Sequence, residues 1–172
     1  MILYTIGDSF TYGTELPDRS KAWPCLVAEE LGYTVDNLAQ PGASNDYIVR
    51  TTVEYLDTHT PDLVIIAWTT PDRLELNAKH CTPNTTPSIF REWDDTWAKS
   101  KYNTQVKLLD SYIQPTHLFC TAWDHPISSK NYIGRLVEWA YGTPHGPGGH
   151  PLELGHRRIA DEITTHVTSS RV

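Results

Sequence analysis

Cysteine is scarce in this chain and poorly spaced for any shared task. The three present, Cys25, Cys81 and Cys120, are odd in number and far apart, and no CxxC pair occurs. That pattern excludes a zinc knuckle and a disulfide framework, and reduced thiols are expected. Long apolar runs are also missing. Nothing approaches the roughly 20 residues that cross a bilayer, so no membrane partner is expected. Positive charge is the minority sign: 14 Lys and Arg stand against 21 Asp and Glu, for a formal net charge of −7. Phosphate-backbone binding relies on clustered cations, so no nucleic-acid partner is expected either. The opening Met1-Ile2-Leu3-Tyr4-Thr5-Ile6 is too short, and lacks the basic flank, to read as a secretory signal. A cytoplasmic location is the expectation that follows.

What remains is a chain of 172 residues, 39% of them apolar, of a size for one domain spanning 1–172. A domain of this size buries roughly two-thirds of its unfolded surface. Short apolar runs alternate with helical patterns. Ile2 to Ile6 and Leu63-Val64-Ile65-Ile66-Ala67-Trp68 read as strands covered on both faces. Thr34 to Leu38 and His117 to Thr121 are weaker strand candidates. Between them, Trp23, Leu26, Val27 and Leu31 recur at helical spacing, with Gly32 as a stop. Val49, Val53 and Leu56 form a second stripe, and Val106, Leu109 and Ile113 a third. Ile133, Leu136, Val137 and Ala140 form a fourth, and Ile159, Ala160, Ile163 and Val167 a fifth. This order predicts an α/β fold with a parallel sheet and helices on both sides. Ligands in such sheets sit beyond the carboxyl ends of the strands. The segment 77–100, with Pro83, Pro87, Trp93 and Trp97, breaks the rhythm and reads as an excursion at the rim.

Three loops carry residues suited to chemistry. Gly7-Asp8-Ser9 follows the first strand and opens a helix. A serine there stands at the sheet's upper edge, where helix N–H groups favour developing negative charge, and Gly7 permits a close approach. The plain alternative is an Asp-Ser turn that caps a helix. In the loop Pro41-Gly42-Ala43-Ser44-Asn45, Gly42 offers an unobstructed N–H and Asn45 an amide, while Ser44 or Asn45 can also cap the next helix. In Gly148-Gly149-His150-Pro151, a histidine in a Gly-rich loop is available as a general base. His145, His150 and His156 match no common metal-ligand spacing, so no metal site is expected. Trp93 and Trp97 can stack on a sugar ring or acyl group, and packing is the more ordinary use of such rings.

Taken together, Gly7-Asp8-Ser9, Pro41-Gly42-Ala43-Ser44-Asn45 and His150-Pro151 with Gly155-His156 resemble the conserved blocks of the SGNH (GDSL-like) hydrolase family, in the family's order. Phe10 stands where the motif usually has Leu. The resemblance implies a three-layer α/β/α sandwich with about five parallel strands, flavodoxin-like. It also implies a serine esterase that needs no cofactor. Ser9 is then the nucleophile, His150 its base, and the N–H groups of Ser9 and Gly42 part of an oxyanion hole. Asp8, Asn45 and Thr70 are further oxyanion or substrate-binding candidates. The substrate implied is a small-molecule or carbohydrate ester, O-acetyl groups on sugars included.

Two positions depart from the family pattern. Pro147 stands where the acid that orients the histidine is usual, so another group has to do so, and Asp124 is a candidate. Pro71 stands where the oxyanion Asn is usual, leaving Thr69, Thr70 or Asn45 to substitute. Arg73 beside it is available to an anionic group, with a salt bridge to Asp72 or Glu75 as the plainer expectation. These departures support an alternative: a binding or structural protein that keeps the SGNH fold without most of its activity. The short form is similar to stand-alone SGNH-like proteins of bacteriophages, and a virion component would read the same way.

Overall fold

The computed structural model describes residues 1–169. In chain order its strands are β1 (Ile2–Ile6), β2 (Thr34–Asn37), β3 (Leu63–Trp68), β4 (Leu74–Leu76), β5 (Lys79–Cys81), β6 (Thr116–Thr121) and β7 (Tyr132–Arg135). The helices are α1 (Ser9–Tyr12), α2 (Trp23–Leu31), α3 (Asn45–Leu56), α4 (Asp95–Tyr112), α5 (Leu136–Trp139) and α6 (Glu153–Ser169). Five strands form one parallel sheet in the order β2-β1-β3-β6-β7, while β4 and β5 pair as a separate antiparallel hairpin. The order runs one way from β1 to β2 and the other way from β1 through β3 to β7. The crevice where the direction reverses, between the carboxyl ends of β1 and β3, is where such sheets bind ligands.

All six residues of β3 are buried, because helices cover both faces of the sheet. Alternation along the strand divides the core. Leu63, Ile65 and Ala67 join Trp23, Val27, Ile159 and Ile163 of α2 and α6. Val64, Ile66 and Trp68 face Ile48, Val106 and Leu109 of α3 and α4. Period-two alternation thus builds two apolar layers from one strand.

The fifth strand takes up the start of a segment where helical spacing put a helix. Tyr132–Arg135 pairs with β6, and only Leu136–Trp139 is helical. Gly134, at φ +142° against the Trp139 ring, holds a backbone that a helix does not use. The excursion at 77–100 also has more order than its composition suggests. Asn77 and Ala78 turn the β4–β5 hairpin with positive φ, and α4 already starts at Asp95, with Asp94 accepting from the Trp97 N–H. Trp93 packs between Phe90 and Trp97, at ring separations of 4.8 and 5.7 Å. The three cysteines are free thiols. No described helix is long and apolar enough to cross a membrane.

Candidate active site

Strand β1 ends at Ile6, and the chain turns at once into the single helical turn of α1. Gly7 makes this possible. A Cβ there would lie 2.4 Å from Thr11 Oγ1 and 2.9 Å from the Ala67 carbonyl oxygen on β3. Asp8 caps the turn by accepting the Phe10 N–H at 3.1 Å. Ser9 is the first helical residue, with its own N–H bonded to nothing among the described residues.

The Asp8 carboxylate is fully buried. Its second oxygen accepts from Thr69 Oγ1 at 2.7 Å, an Arg73 guanidinium nitrogen at 3.0 Å and Trp123 Nε1 at 3.0 Å. This node joins the loops that follow β1, β3 and β6. It corrects two expectations. Asp8 is enclosed by protein donors and does not face substrate. Arg73 pairs with Asp8, and not with Asp72 or Glu75; Glu75 is held by Arg50 at 2.6 Å.

The second loop is tied to the first, with the Gln40 N–H donating to the Gly7 carbonyl at 3.2 Å and Asn37 Nδ2 to the Thr11 carbonyl at 3.0 Å. Gly42 sits at φ +75°, a conformation suited to glycine, and its N–H has no partner among the described residues. Ser44 caps α3. Asn45 is committed elsewhere. Its Nδ2 donates to the Thr69 and Thr70 carbonyls, both at 3.2 Å, and its Oδ1 accepts the Thr69 N–H at 3.0 Å. Buried and saturated in this way, it fixes the loop after β3 and is not free for an oxyanion. The Thr69 hydroxyl is taken by Asp8. Thr70 is half-buried and lines a cavity of about 320 Å³ with Asp72, Arg73, Asn84 and Trp123. Of the donors named from sequence, the Ser9 and Gly42 N–H groups and the Thr70 hydroxyl have no partner among the described residues.

His150 lies in a tight loop closed by Gly146 N–H to the His150 carbonyl at 2.9 Å and by a bridge between His145 and Pro151. Its ring is 5.8 Å from that of Phe10, the residue after the candidate nucleophile. No hydrogen bond joins Ser9 to His150 among the described residues. His150 Nδ1 is instead 2.8 Å from an oxygen of Glu15, a residue the sequence reading did not single out. Asp124, the carboxylate proposed for that place, is paired with Arg135. The Gly148 N–H, ahead of His150, holds the Glu15 carboxyl below the usual carboxylate range. His156 is buried apart from the site, where Nδ1 accepts the Trp23 N–H at 3.2 Å. Among the described residues no three His, Cys, Asp or Glu side chains gather as a metal site.

No protein-family model matches the sequence, and no curated protein matches it either. Solved structures do match. Psychrotrophic esterase EstA from Pseudoalteromonas superposes with a TM-score of 0.64 over 98% of this chain and 97% of its own, at 12% identity. A protein assigned to the G-D-S-L lipolytic family, from Desulfitobacterium hafniense, covers 95% of this chain and 98% of its own, at TM-score 0.61 and 12% identity. The chain has the SGNH hydrolase fold. A family two carbohydrate esterase from Clostridium thermocellum, solved in complex with cellohexaose, aligns over 98% of this chain and 64% of its own, at TM-score 0.63 and 14% identity. The ring contact between Phe10 and His150 brings together two blocks that stand at opposite ends of the sequence.

Proposed function

We propose that this protein is a serine esterase that hydrolyses small carboxylic esters, O-acetyl groups on carbohydrates among them, through an acyl-enzyme on Ser9. The observation that carries the reading is the pair of unengaged N–H groups on Ser9 and Gly42. Both sit on loops bonded to one another at the sheet's switch point. Open backbone donors beside a hydroxyl at a helix N-terminus are what a tetrahedral oxyanion requires. Ser9 Oγ attacks the ester carbonyl carbon while His150 Nε2 takes the hydroxyl proton. The C–O bond to the alcohol breaks, and the alcohol leaves with that proton. Water, activated by the same imidazole, then adds to the acyl-enzyme, releasing the acid and restoring Ser9. The carbohydrate part of the reading is supported by the carbohydrate esterases among the structural neighbours.

One observation favours a second reading, an SGNH-fold binding protein without turnover: the missing Ser9–His150 hydrogen bond. Catalytic hydrogen bonds are often long in unliganded sites and tighten with substrate, so the esterase reading stands first. Hydrolysis of p-nitrophenyl acetate by the purified protein, beside Ser9→Ala and His150→Ala, separates the two. The esterase reading expects turnover that falls by at least roughly 10³-fold in each variant. Equal rates in all three proteins would establish the binding-protein reading.

A further inference from the structure

We propose that Glu15 is the positioning acid of this site, supplied from the nucleophile's own loop in place of the residue that Pro147 displaces. The inference rests on the Ser9–His150 esterase reading and adds a third member to it.

Glu15 lies only six residues beyond Ser9. The short helix α1 ends at Gly13, where φ is +82° and the N–H returns to the Ser9 carbonyl. The Thr14 N–H returns to the same carbonyl, and the Leu16 N–H to Gly13. The chain is thus folded back on itself, and Glu15 takes up φ +68°, rare for a residue with a side chain. A strained backbone persists where its surroundings over-determine it. Here three bonds do so: the Glu15 carboxylate accepts from Gly148 N–H at 2.7 Å, His150 N–H at 3.1 Å and His150 Nδ1 at 2.8 Å.

The histidine loop is shaped to receive this carboxylate. A Cβ at Gly146 would lie 2.6 Å from Glu15 Cδ, and one at Gly148 would lie 3.1 Å from its Oε2. The two glycines therefore leave the space that the carboxylate fills. With Nδ1–H donated to Glu15, the imidazole carries its lone pair on Nε2, the nitrogen that takes the Ser9 proton. An ionised partner also favours the imidazolium formed at that moment. Both Glu15 and His150 are about one-fifth exposed, so the pair is shielded from solvent on most sides. Pro147 has no N–H and no acid, and its neighbours Gly146 and Gly148 frame the cradle instead.

The test compares wild type with Glu15→Gln, which keeps the side chain's size and an acceptor oxygen but lacks the charge. Three readouts are taken: kcat and KM for p-nitrophenyl acetate, the rate of Ser9 labelling by a phosphonate ester, and the far-downfield proton NMR signal of a carboxylate-bound His Nδ1–H. The proposal expects kcat to fall about 100- to 10,000-fold with KM changed less than about threefold. Labelling should slow in parallel, and the downfield signal should be present in wild type and absent from Glu15→Gln and His150→Ala. Wild-type kcat in a folded Glu15→Gln, or no such signal in wild type, overturns the role of Glu15 and leaves the esterase reading standing. A wild type that is neither labelled at Ser9 nor active overturns the esterase reading, and this proposal with it. A wild-type signal that His150→Ala lacks decides the matter even if Glu15→Gln does not fold, since the His117–Asp110 pair is present in both proteins.

Discussion

Asp8 shows how one residue at this site serves structure more than chemistry. Its carboxylate is out of water and takes four donors from three loops. A buried charge is tolerated only when it is paired and hydrogen-bonded, and Arg73 supplies the opposite charge. Replacing Asp8 with Ala leaves the largely buried guanidinium without its partner and two further side-chain donors without an acceptor. The expected loss is about 3–5 kcal/mol in urea unfolding. Arg157→Ala, which breaks a solvent-exposed pair with Glu30, is expected to cost less than about 1 kcal/mol. Similar losses in the two variants would mean that the Asp8 node contributes no more than a surface ion pair. Sequence pointed to Asp8 as a candidate for binding substrate and paired Arg73 with Asp72 or Glu75, because Thr69, Arg73 and Trp123 are brought to Asp8 only by the sheet. Glu15 was invisible for a related reason. Its contact depends on a left-handed backbone at a non-glycine residue and on a loop 135 positions away, and neither leaves a local pattern.

At the scale of elements, the junction of β1 and α1 sets the nucleophile's height above the sheet. The methyl group of Gly7→Ala would press on the Ala67 carbonyl, and a central strand's backbone cannot yield as a side-chain tip does. The expected cost is about 1–3 kcal/mol, with a fall in esterase activity because Ser9 must shift. Gly32→Ala is the contrasting case. Gly32 has φ +69° and open space around it, so that variant should lose about 1–2 kcal/mol for its backbone alone and keep its kcat. Equal effects on kcat would show that Gly7 is only a flexible link. The strands with continuous β-branched runs were legible from sequence for a physical cause: burial on both faces leaves no polar alternation to confuse them. Edge strand β7 was not, since it is short, half-buried and runs straight into a helix. The helical stripe drawn from Ile133 absorbed it. The start of α4 was hidden by Trp93, Asp94 and Asp95, whose capping and ring packing do not resemble an amphipathic repeat.

Across the whole molecule, the two ends of the chain are joined through His156. Helix α2 begins at Trp23 without a side-chain cap from its own N-cap residue, and His156 Nδ1 from α6 accepts that first N–H. The ring is fully buried and its Nε2 has no partner among the described residues. Burial, with a smaller effect of His150, lowers its pKa from 6.5 to about 4. Protonation would both charge a buried ring and remove the acceptor that caps α2. The sign follows from linkage: between about pH 4 and 6.5 the unfolded chain binds a proton that the folded chain refuses, so stability rises with pH across that window. Above pH 6.5 the contribution is fully present. It is lost as pH falls toward 4, for a total of about 3 kcal/mol. That is a large share of the roughly 5–15 kcal/mol typical of a domain. Glu15, whose carboxyl is held low by the Gly148 N–H and His150, contributes on the acid side of the ordinary carboxylate range, below most of this window. Urea unfolding at pH 7 and pH 4.5 should therefore show a drop of about 2–3 kcal/mol in wild type. His156→Gln, which keeps a side-chain acceptor near Trp23 but cannot titrate, should start lower at pH 7 and lose much less on acidification. An equal drop in both proteins would mean that the acid sensitivity belongs to the carboxylates and that His156 is not the group joining α2 to α6 in a pH-dependent way.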